Sequence, residues 1–340
     1  MTGIKALARH LDLSIGTVSR ALNDKADVSP ATRKRVLAAA RELGYRPNHS
    51  GRALRQGRTS TIGLVLETGS PASLAGDAFF MQLIDAMQET FSAAGTDLVL
   101  LPCRSADDPI EFLRRQVGRR MVDALVITAT RRQDPRIAML VEEGMPFLAL
   151  GRSGTPGDWP WIDLDFEGVA DRAVAELAAL GHRRIALVAP RKEVNLAHVW
   201  MDGYRAAIRR HGLEEHEGLM LRLSVSENGG RQAAEAVLGM DPRPTALLLV
   251  SEMMAPGVYA RLGEAGLEPG RDLSVIGFRR NPQLGFLRPE LAGFALDLRA
   301  LGTAVGEAAL GLAVSPADPV RLVWPMDYVP AASVRPPPAE

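Results

Sequence analysis

The sequence predicts an α/β protein: a small all-helical head followed by a large body of parallel sheets covered by helices. Three observations lead there. Residues 1–44 hold three short helical patterns separated by tight turns. From Thr61 onward, short continuous apolar runs alternate with amphipathic stretches, the pattern of strands buried on both faces by helices. The charge is also divided. Residues 1–58 carry twelve Lys or Arg against four acids, a net of +8, so residues 59–340 carry −8 and the whole chain zero. An excess of that size on one short segment is the electrostatic footprint of a nucleic-acid-binding head on an acidic body.

Composition sets the outer bounds. A length of 340 residues suits two or three structural units, and 46% apolar residues suffice for a large core. No run approaches the roughly 18 apolar residues of a membrane span. The start, Met1-Thr2-Gly3-Ile4-Lys5, has no apolar signal-peptide core, so a cytoplasmic protein without membrane contact is expected. The single cysteine, Cys103, excludes an internal disulfide and a cysteine-based zinc cluster.

The head reads in order. A first helix runs from about Ile4 to Leu11. Asp12-Leu13 makes the turn, Asp12 being tolerable where a left-handed conformation is required. Ser14 caps a second helix on which Val18 and Leu22 share the buried face. Ser29 caps a third, with Pro30 at its first position, an apolar stripe of Val36, Leu37, Ala40 and Leu43, and Gly44 as its stop. Two short helices joined by a tight turn form a helix-turn-helix, whose second helix enters the DNA major groove. Thr17, Ser19, Arg20 and Asn23 lie on that helix. Arg20 can pair bidentately with guanine; Ser14, Thr17, Ser19 and Asn23 are expected at phosphates. A surface helix pair is the competing reading for the spacing alone, and core packing the competing reading for Ile15.

The order and spacing of Thr17-Val18-Ser19-Arg20-Ala21-Leu22-Asn23, Val28-Ser29-Pro30-Ala31-Thr32-Arg33 and Leu43-Gly44-Tyr45-Arg46-Pro47-Asn48 resemble the N-terminus of the lactose-repressor (LacI/GalR-type) family of bacterial transcription regulators. A weaker likeness extends over residues 60–335. The resemblance implies that Ile15 and Gly16 choose the operator and that Tyr45 contacts phosphate. It implies that residues 47–58, otherwise a basic linker, form a hinge helix whose Leu54 wedges into the minor groove and kinks the duplex. Gly51 stands where the family prefers alanine, which costs a helix about 0.5–1 kcal/mol. The fold implied is a three-helix head (1–46), the hinge (47–58), and a periplasmic-binding-protein-like core (59–330) of two doubly wound subdomains, about 59–158 plus 292–322 and about 159–291 plus 323–330. A Pro-rich tail, 331–340, is expected to fray. No leucine heptad follows it, so a homodimer on a palindromic double-stranded operator is expected.

In the body, the apolar runs are 62–66, 98–101, 124–128, 147–150, 161–165, 185–188, 246–250 and 275–278. Amphipathic segments lie near 80–94, 110–119, 135–144, 167–180, 200–211, 230–239 and 257–266. Ligands of such sheets sit at the carboxyl ends of the strands. No P-loop, nucleophile elbow, metal-ligand spacing or cofactor motif is present, so a binding body and not an enzyme is expected.

Asp77, Phe79 and Phe80 match the family's aromatic loop over a small-molecule effector; the alternative for the rings is core. Arg152 and Asp165 follow strands and are candidate polar contacts. Ser251 and Glu252 stand where relatives have Asn-Asp, and Arg279-Arg280 where they have aspartate after Val-Ile-Gly-Phe. Trp200 replaces a frequent arginine, with Asn195 and His198 nearby. Arginine prefers carboxylate or phosphate where aspartate prefers sugar hydroxyls. Two effector classes follow: an acidic or phosphorylated sugar bound by Arg279 and Arg152, or a neutral oligosaccharide lying over Phe79, Trp159, Trp161 and Trp200 with Arg279 turned to solvent. The pattern Pro160-Trp161-Ile162-Asp163-Leu164-Asp165-Phe166-Glu167-Gly168 is similar to regulators of α-glucoside use and favours the neutral class. The reading is a repressor of carbohydrate-use genes, released from or locked on its operator by a sugar-type effector; the alternatives are a sugar-binding or sugar-processing protein with an incidental basic head, and a periplasmic binding protein.

Overall fold

A computed structural model describes residues 3–22, 27–45, 58–68, 79–314 and 319–338. The chain divides into two units, 1–59 and 60–340. The expected hinge, with Gly51 and Leu54, lies outside the described residues, as do Asn23 and Asp77.

The head unit contains α1 (Ile4–Leu11), α2 (Ile15–Leu22) and α3 (Pro30–Glu42). Asp12 ends α1 at φ 52°, the left-handed turn expected of it. The Ser14 hydroxyl accepts the Thr17 amide at 3.0 Å, and that of Ser29 accepts the Thr32 amide at 3.2 Å. These caps satisfy N–H groups that a helix start otherwise leaves free. Leu7, Ala8, Val18, Ala21, Val28, Val36, Ala39 and Ala40 are the buried core. Leu37 is 40% exposed, so the stripe of α3 runs through Ala39 and not through Leu37.

The body opens with β1 (Thr61–Thr68), α4 (Phe79–Ala93), β2 (Asp97–Arg104), α5 (Pro109–Arg119), β3 (Ala124–Ile127), α6 (Pro135–Glu142), β4 (Phe147–Leu150) and β5 (Trp161–Leu164). It continues with α7 (Phe166–Ala179), β6 (Ile185–Pro190), α8 (Asn195–Arg210), β7 (Met220–Leu223), α9 (Glu227–Leu238), β8 (Ala246–Leu249), α10 (Ala255–Glu264) and β9 (Ser274–Ile276). The last elements are β10 (Gly293–Ala295), α11 (Leu298–Val314), β11 (Arg321–Trp324) and β12 (Asp327–Val329). One sheet has the order β11-β5-β4-β3-β1-β2 and a second the order β7-β6-β8-β9, with every neighbouring pair parallel. The continuous apolar runs are these strands: all four residues of β3 and all six of β6 are buried. β10 and β12 form a separate antiparallel pair.

Three sequence boundaries move. β5 pairs with β4 and β11, so the chain leaves the first sheet after Leu164, not near 158. It leaves for good after Trp324 and not near 322, because β11 completes that sheet. Helix α8 starts at Asn195, five residues before the apolar periodicity becomes readable at 200. The tail does not fray through 338. Ser333 is fully buried; its hydroxyl donates to the Val275 carbonyl at 2.7 Å and accepts the Ala292 amide at 2.9 Å. Two glycines set the loop that follows β8. A Cβ at Gly230 would stand 1.9 Å from the Met254 carbonyl oxygen, and one at Gly257 1.8 Å from that of Glu227, so α9 and α10 approach to backbone contact and fix residues 251–254 between them.

Candidate functional site

On the head, α2 buries Val18 and Ala21 and leaves Ser14, Ile15, Gly16 and Arg20 exposed, with Thr17 and Ser19 half-buried. Ile15 is 43% exposed, which removes the core reading for it. A Cβ on Gly16 would meet only the Ser14 hydroxyl, at 3.6 Å, and the Arg20 guanidinium, at 3.9 Å; the glycine is not demanded by the head itself. Arg20 Nε lies 3.3 Å from a carboxylate oxygen of Asp27, in an exposed ion pair that a guanine would have to replace. Tyr45 packs its ring on the head core, and its amide donates to the Ala40 carbonyl at 2.8 Å.

In the body, residues 192–195 after β6 bond to Glu67, Thr130 and Arg152 at or after the carboxyl ends of β1, β3 and β4. Arg152, at the end of β4, donates Nε to Asp163 at 2.8 Å and grips both oxygens of Glu167 at 2.9 and 2.6 Å. Burial works against its charge, but the bonds to Glu167 and Asp163 more than offset this and raise its pKa above the ordinary value. Burial also lifts the Asp163 carboxyl, against the pull of Arg152. The guanidinium carbon stands 5.7 Å from the Trp161 ring centre.

The second arginine repeats this arrangement. Arg279 is 6% exposed and donates Nε to Glu252, itself 2% exposed, at 3.0 Å. Its guanidinium carbon stands 5.6 Å from the ring centre of Phe79. The expectation that Arg279 turns to solvent is therefore wrong: a planar guanidinium between a carboxylate and a ring face is stabilised by both, and leaving it buried without them would be costly.

Several predicted contacts belong to the framework. Trp200 is 1% exposed and donates its indole N–H to the Val188 carbonyl at 3.0 Å; it is core. Trp159 is buried, stacks on Phe147 and donates to the Thr155 carbonyl at 3.2 Å. Of the four rings offered as a sugar platform, Phe79 and Trp161 remain half-buried. Phe79 and Phe80 meet edge to face at 5.1 Å, both half-buried against the body core. Asp165 caps α7 through the Gly168 amide at 2.9 Å, and Ser251 caps the short helix after it through the Met253 amide at 3.3 Å. His198 faces Glu193 at 3.3 Å. Asn195 is 7% exposed and bonds to backbone: its amide to the Thr130 carbonyl at 2.7 Å, its side chain to that of Arg152 at 2.8 Å.

Sequence reasoning missed Asp163, Glu167, Asn281, whose side-chain amide donates to Glu252 at 3.4 Å, and a linked trio of Glu67, Asp134 and Arg136. Asp163 was detectable in principle. A carboxylate inside the apolar β5 must find a cation, and Arg152 is the arginine closing the preceding strand. Glu67 and Arg136 are 69 residues apart and carried no such signal. Among the described residues no group of three His, Cys, Asp or Glu side chains could hold a metal ion, and no helix is long and apolar enough to cross a membrane.

Residues 3–48 match the family described as bacterial regulatory proteins, lacI family, and residues 59–308 the periplasmic binding proteins and sugar binding domain of LacI family. The HTH-type transcriptional regulator AglR of Rhizobium meliloti is 33% identical over 98% of this chain and 95% of its own length. RafR of Escherichia coli, also an HTH-type transcriptional regulator, is 30% identical over 98% and 99%. Among solved structures, a complex of the transcriptional regulator CelR with cellobiose superposes with a TM-score of 0.73 at 27% identity, covering 97% of this chain and 99% of that one. A lac repressor dimer on its operator superposes with a TM-score of 0.86 at 24% identity, covering 98% and 99%; at that identity the fold is what it shares.

Proposed function

From the premise that this chain belongs to the LacI family of bacterial regulatory proteins, a DNA-binding head joined to a sugar-binding domain, we propose a homodimeric operator-binding repressor whose effector is a neutral oligosaccharide, a disaccharide in the first instance. The observation that carries the effector class is the charge state of its two arginines. Arg152 already holds Asp163 and Glu167, and Arg279 already holds Glu252. A carboxylate or phosphate on the ligand would have to displace a well-bonded carboxylate, two of the three being buried, or add negative charge beside all three. Neutral hydroxyls can instead accept from the guanidinium edges and donate to the carboxylate oxygens without disturbing either pair. Phe79 and Trp161 supply ring faces for the apolar face of a pyranose. The cellobiose of the CelR complex is a neutral disaccharide, in keeping with this class.

On the head, Arg20 reads guanine, Ile15 and Gly16 set operator preference, and Ser14, Thr17, Ser19, Asn23 and Tyr45 hold phosphates. Leu54 is the minor-groove wedge. The body binds its sugar and releases it unchanged.

A thermal-shift series on the full chain tests the effector class, with cellobiose, maltose and melibiose set against glucuronate and glucose 6-phosphate. A ligand at about 100 times its Kd contributes about 2.7 kcal/mol, hence a rise of roughly 5–11 °C at about 2–4 °C per kcal/mol. A neutral disaccharide giving such a shift supports the reading; a shift with the anionic sugars alone overturns it.

A further inference from the structure

The first subdomain presents a linked charge set to the second. Arg136, 2% exposed, holds Asp134, fully buried, through two parallel bonds: Nε to Oδ1 at 3.0 Å and Nη2 to Oδ2 at 2.7 Å. Burial opposes ionisation of Asp134, but the Arg136 bonds bring its carboxyl below the usual range. Arg136 Nη1 also reaches Glu67, at the end of β1, at 3.4 Å. The trio thus sets two negative charges against one positive. The second positive charge comes from across the cleft: Lys192, in the turn after β6 of the other sheet, bonds to the second oxygen of Glu67.

Three residues further along the same turn, Asn195 crosses too, through its amide to the Thr130 carbonyl and its side chain to the Arg152 carbonyl. Between them Glu193 stays at home, paired with Arg222 of β7 at 2.8 Å. The turn is thereby anchored in its own subdomain while its two ends reach into the other.

We propose that residues 192–195 are a clasp that holds the two subdomains together, with Lys192 bonded to Glu67 of the Glu67–Arg136–Asp134 trio and Asn195 fixing the backbone register. Lys192 is 48% exposed in side chain, so its bond to Glu67 is screened by salt, whereas Asn195 is sheltered. The clasp is therefore tunable at one end and rigid at the other. Opening it costs the same whichever sugar enters, so the inference is independent of the effector's identity.

Hydrogen–deuterium exchange on the full-length, ligand-free protein tests it. The readout is the peptide carrying the Asn195 amide, compared with peptides from β6 and the C-terminal half of α8. Lys192→Ala is expected to speed Asn195 exchange about two- to fivefold, the worth of a half-exposed ion pair. Lys192→Glu, which faces Glu67 with like charge, is expected to speed it further, and Lys192→Arg to leave it near wild type. Raising salt to about 1 M should speed the wild type toward the Lys192→Ala rate and leave that variant unmoved. Unchanged Asn195 exchange in Lys192→Ala would overturn the clasp. So would acceleration spread equally through β6 and α8, which would mean a loosened subdomain.

Discussion

Glu252→Gln separates the charge of the Arg279 pair from its shape. The substitution keeps an oxygen to accept from Arg279 Nε at about the observed 3.0 Å, and keeps the volume, but removes the negative charge. What remains is a guanidinium 6% exposed, with the Phe79 face beside it. Breaking a buried pair outright costs about 3–5 kcal/mol; retaining one hydrogen bond of about 1–1.5 kcal/mol brings the expected loss to roughly 1.5–4 kcal/mol. At about 2–4 °C per kcal/mol, the melting temperature of the body should fall by roughly 3–16 °C. The same change leaves one carboxylate fewer beside Arg279. Glucuronate, inert toward the parent, should therefore raise the variant's melting temperature, while the shift given by a neutral disaccharide shrinks. Differential scanning calorimetry with and without each sugar reads both effects. The double variant Glu252→Gln/Arg279→Gln should lose less stability than the two single losses added, because neither charge is then left alone. A Glu252→Gln protein as stable as the parent and still blind to glucuronate would show that the buried pair does not decide the charge of the effector.

Three further outcomes are expected. Gly16→Ala should stabilise the isolated head reaction to heat by up to about 1 kcal/mol, since the site is helical and open, yet weaken operator binding in a fluorescence-anisotropy titration; equal or tighter binding would remove Gly16 from the interface. Asp27→Asn should tighten operator binding about two- to fivefold at low salt by releasing Arg20 from an exposed pair; weaker binding in the same titration would mean that Asp27 orients Arg20 for its base. Stability should fall on acidification through His182. Its Nε2–H donates to the Arg335 carbonyl and its Nδ1 accepts from the Thr245 hydroxyl, both at 2.8 Å, and burial depresses its pKa. The folded state then binds fewer protons than the unfolded chain. The contribution is whole above about pH 6.5 and is lost as pH falls through the folded value, at no more than about 1.4 kcal/mol per pH unit. Urea midpoints from pH 7 to 5 should flatten in His182→Gln; parallel curves would refute the assignment.

The residues that were legible are those whose neighbours in sequence are also their neighbours in space. The caps Ser14 and Ser29 and the left-handed turn at Asp12 follow from local spacing, as does Val18 on the buried face of α2, where Ala21 is buried beside it and the expected Leu22 is half-buried. Strands such as β3 and β6 announced themselves because both faces are covered. The site was less legible for a physical reason. Arg279 and Arg152 were visible as arginines at strand ends, but their partners decide their chemistry, and Glu252 reaches Arg279 across 27 positions while Glu67 reaches Lys192 across 125. A sequence without those pairings leaves a cation's charge looking available. The short strands β7 and β11 escaped for the complementary reason: each is interrupted or opened by an arginine, Arg222 and Arg321, and has at most three apolar residues in a row, largely or partly exposed.

The framework role of Asn195 and Trp200 changes what kind of site this is. Trp200 fills the core and spends its indole N–H on the Val188 carbonyl, and Asn195 spends its backbone and side-chain N–H groups on the Thr130 and Arg152 carbonyls. Recognition then falls to two guanidinium–carboxylate pairs, one on each side, each under or beside a half-buried ring. Such pairs present donors and acceptors together at fixed positions, and they lose no net charge when hydroxyls bind to them. A sugar with hydroxyls at both ends and a hydrophobic face at each ring satisfies both at once, so a two-ring ligand exploits more of the site than a single pyranose. A monosaccharide reaching only one pair should bind more weakly than a disaccharide spanning both, and Arg152→Gln should cost the disaccharide affinity in isothermal titration while leaving the monosaccharide that uses the Arg279 end unaffected. Equal losses for the two ligands would place both rings at one arginine and contradict the bipartite arrangement.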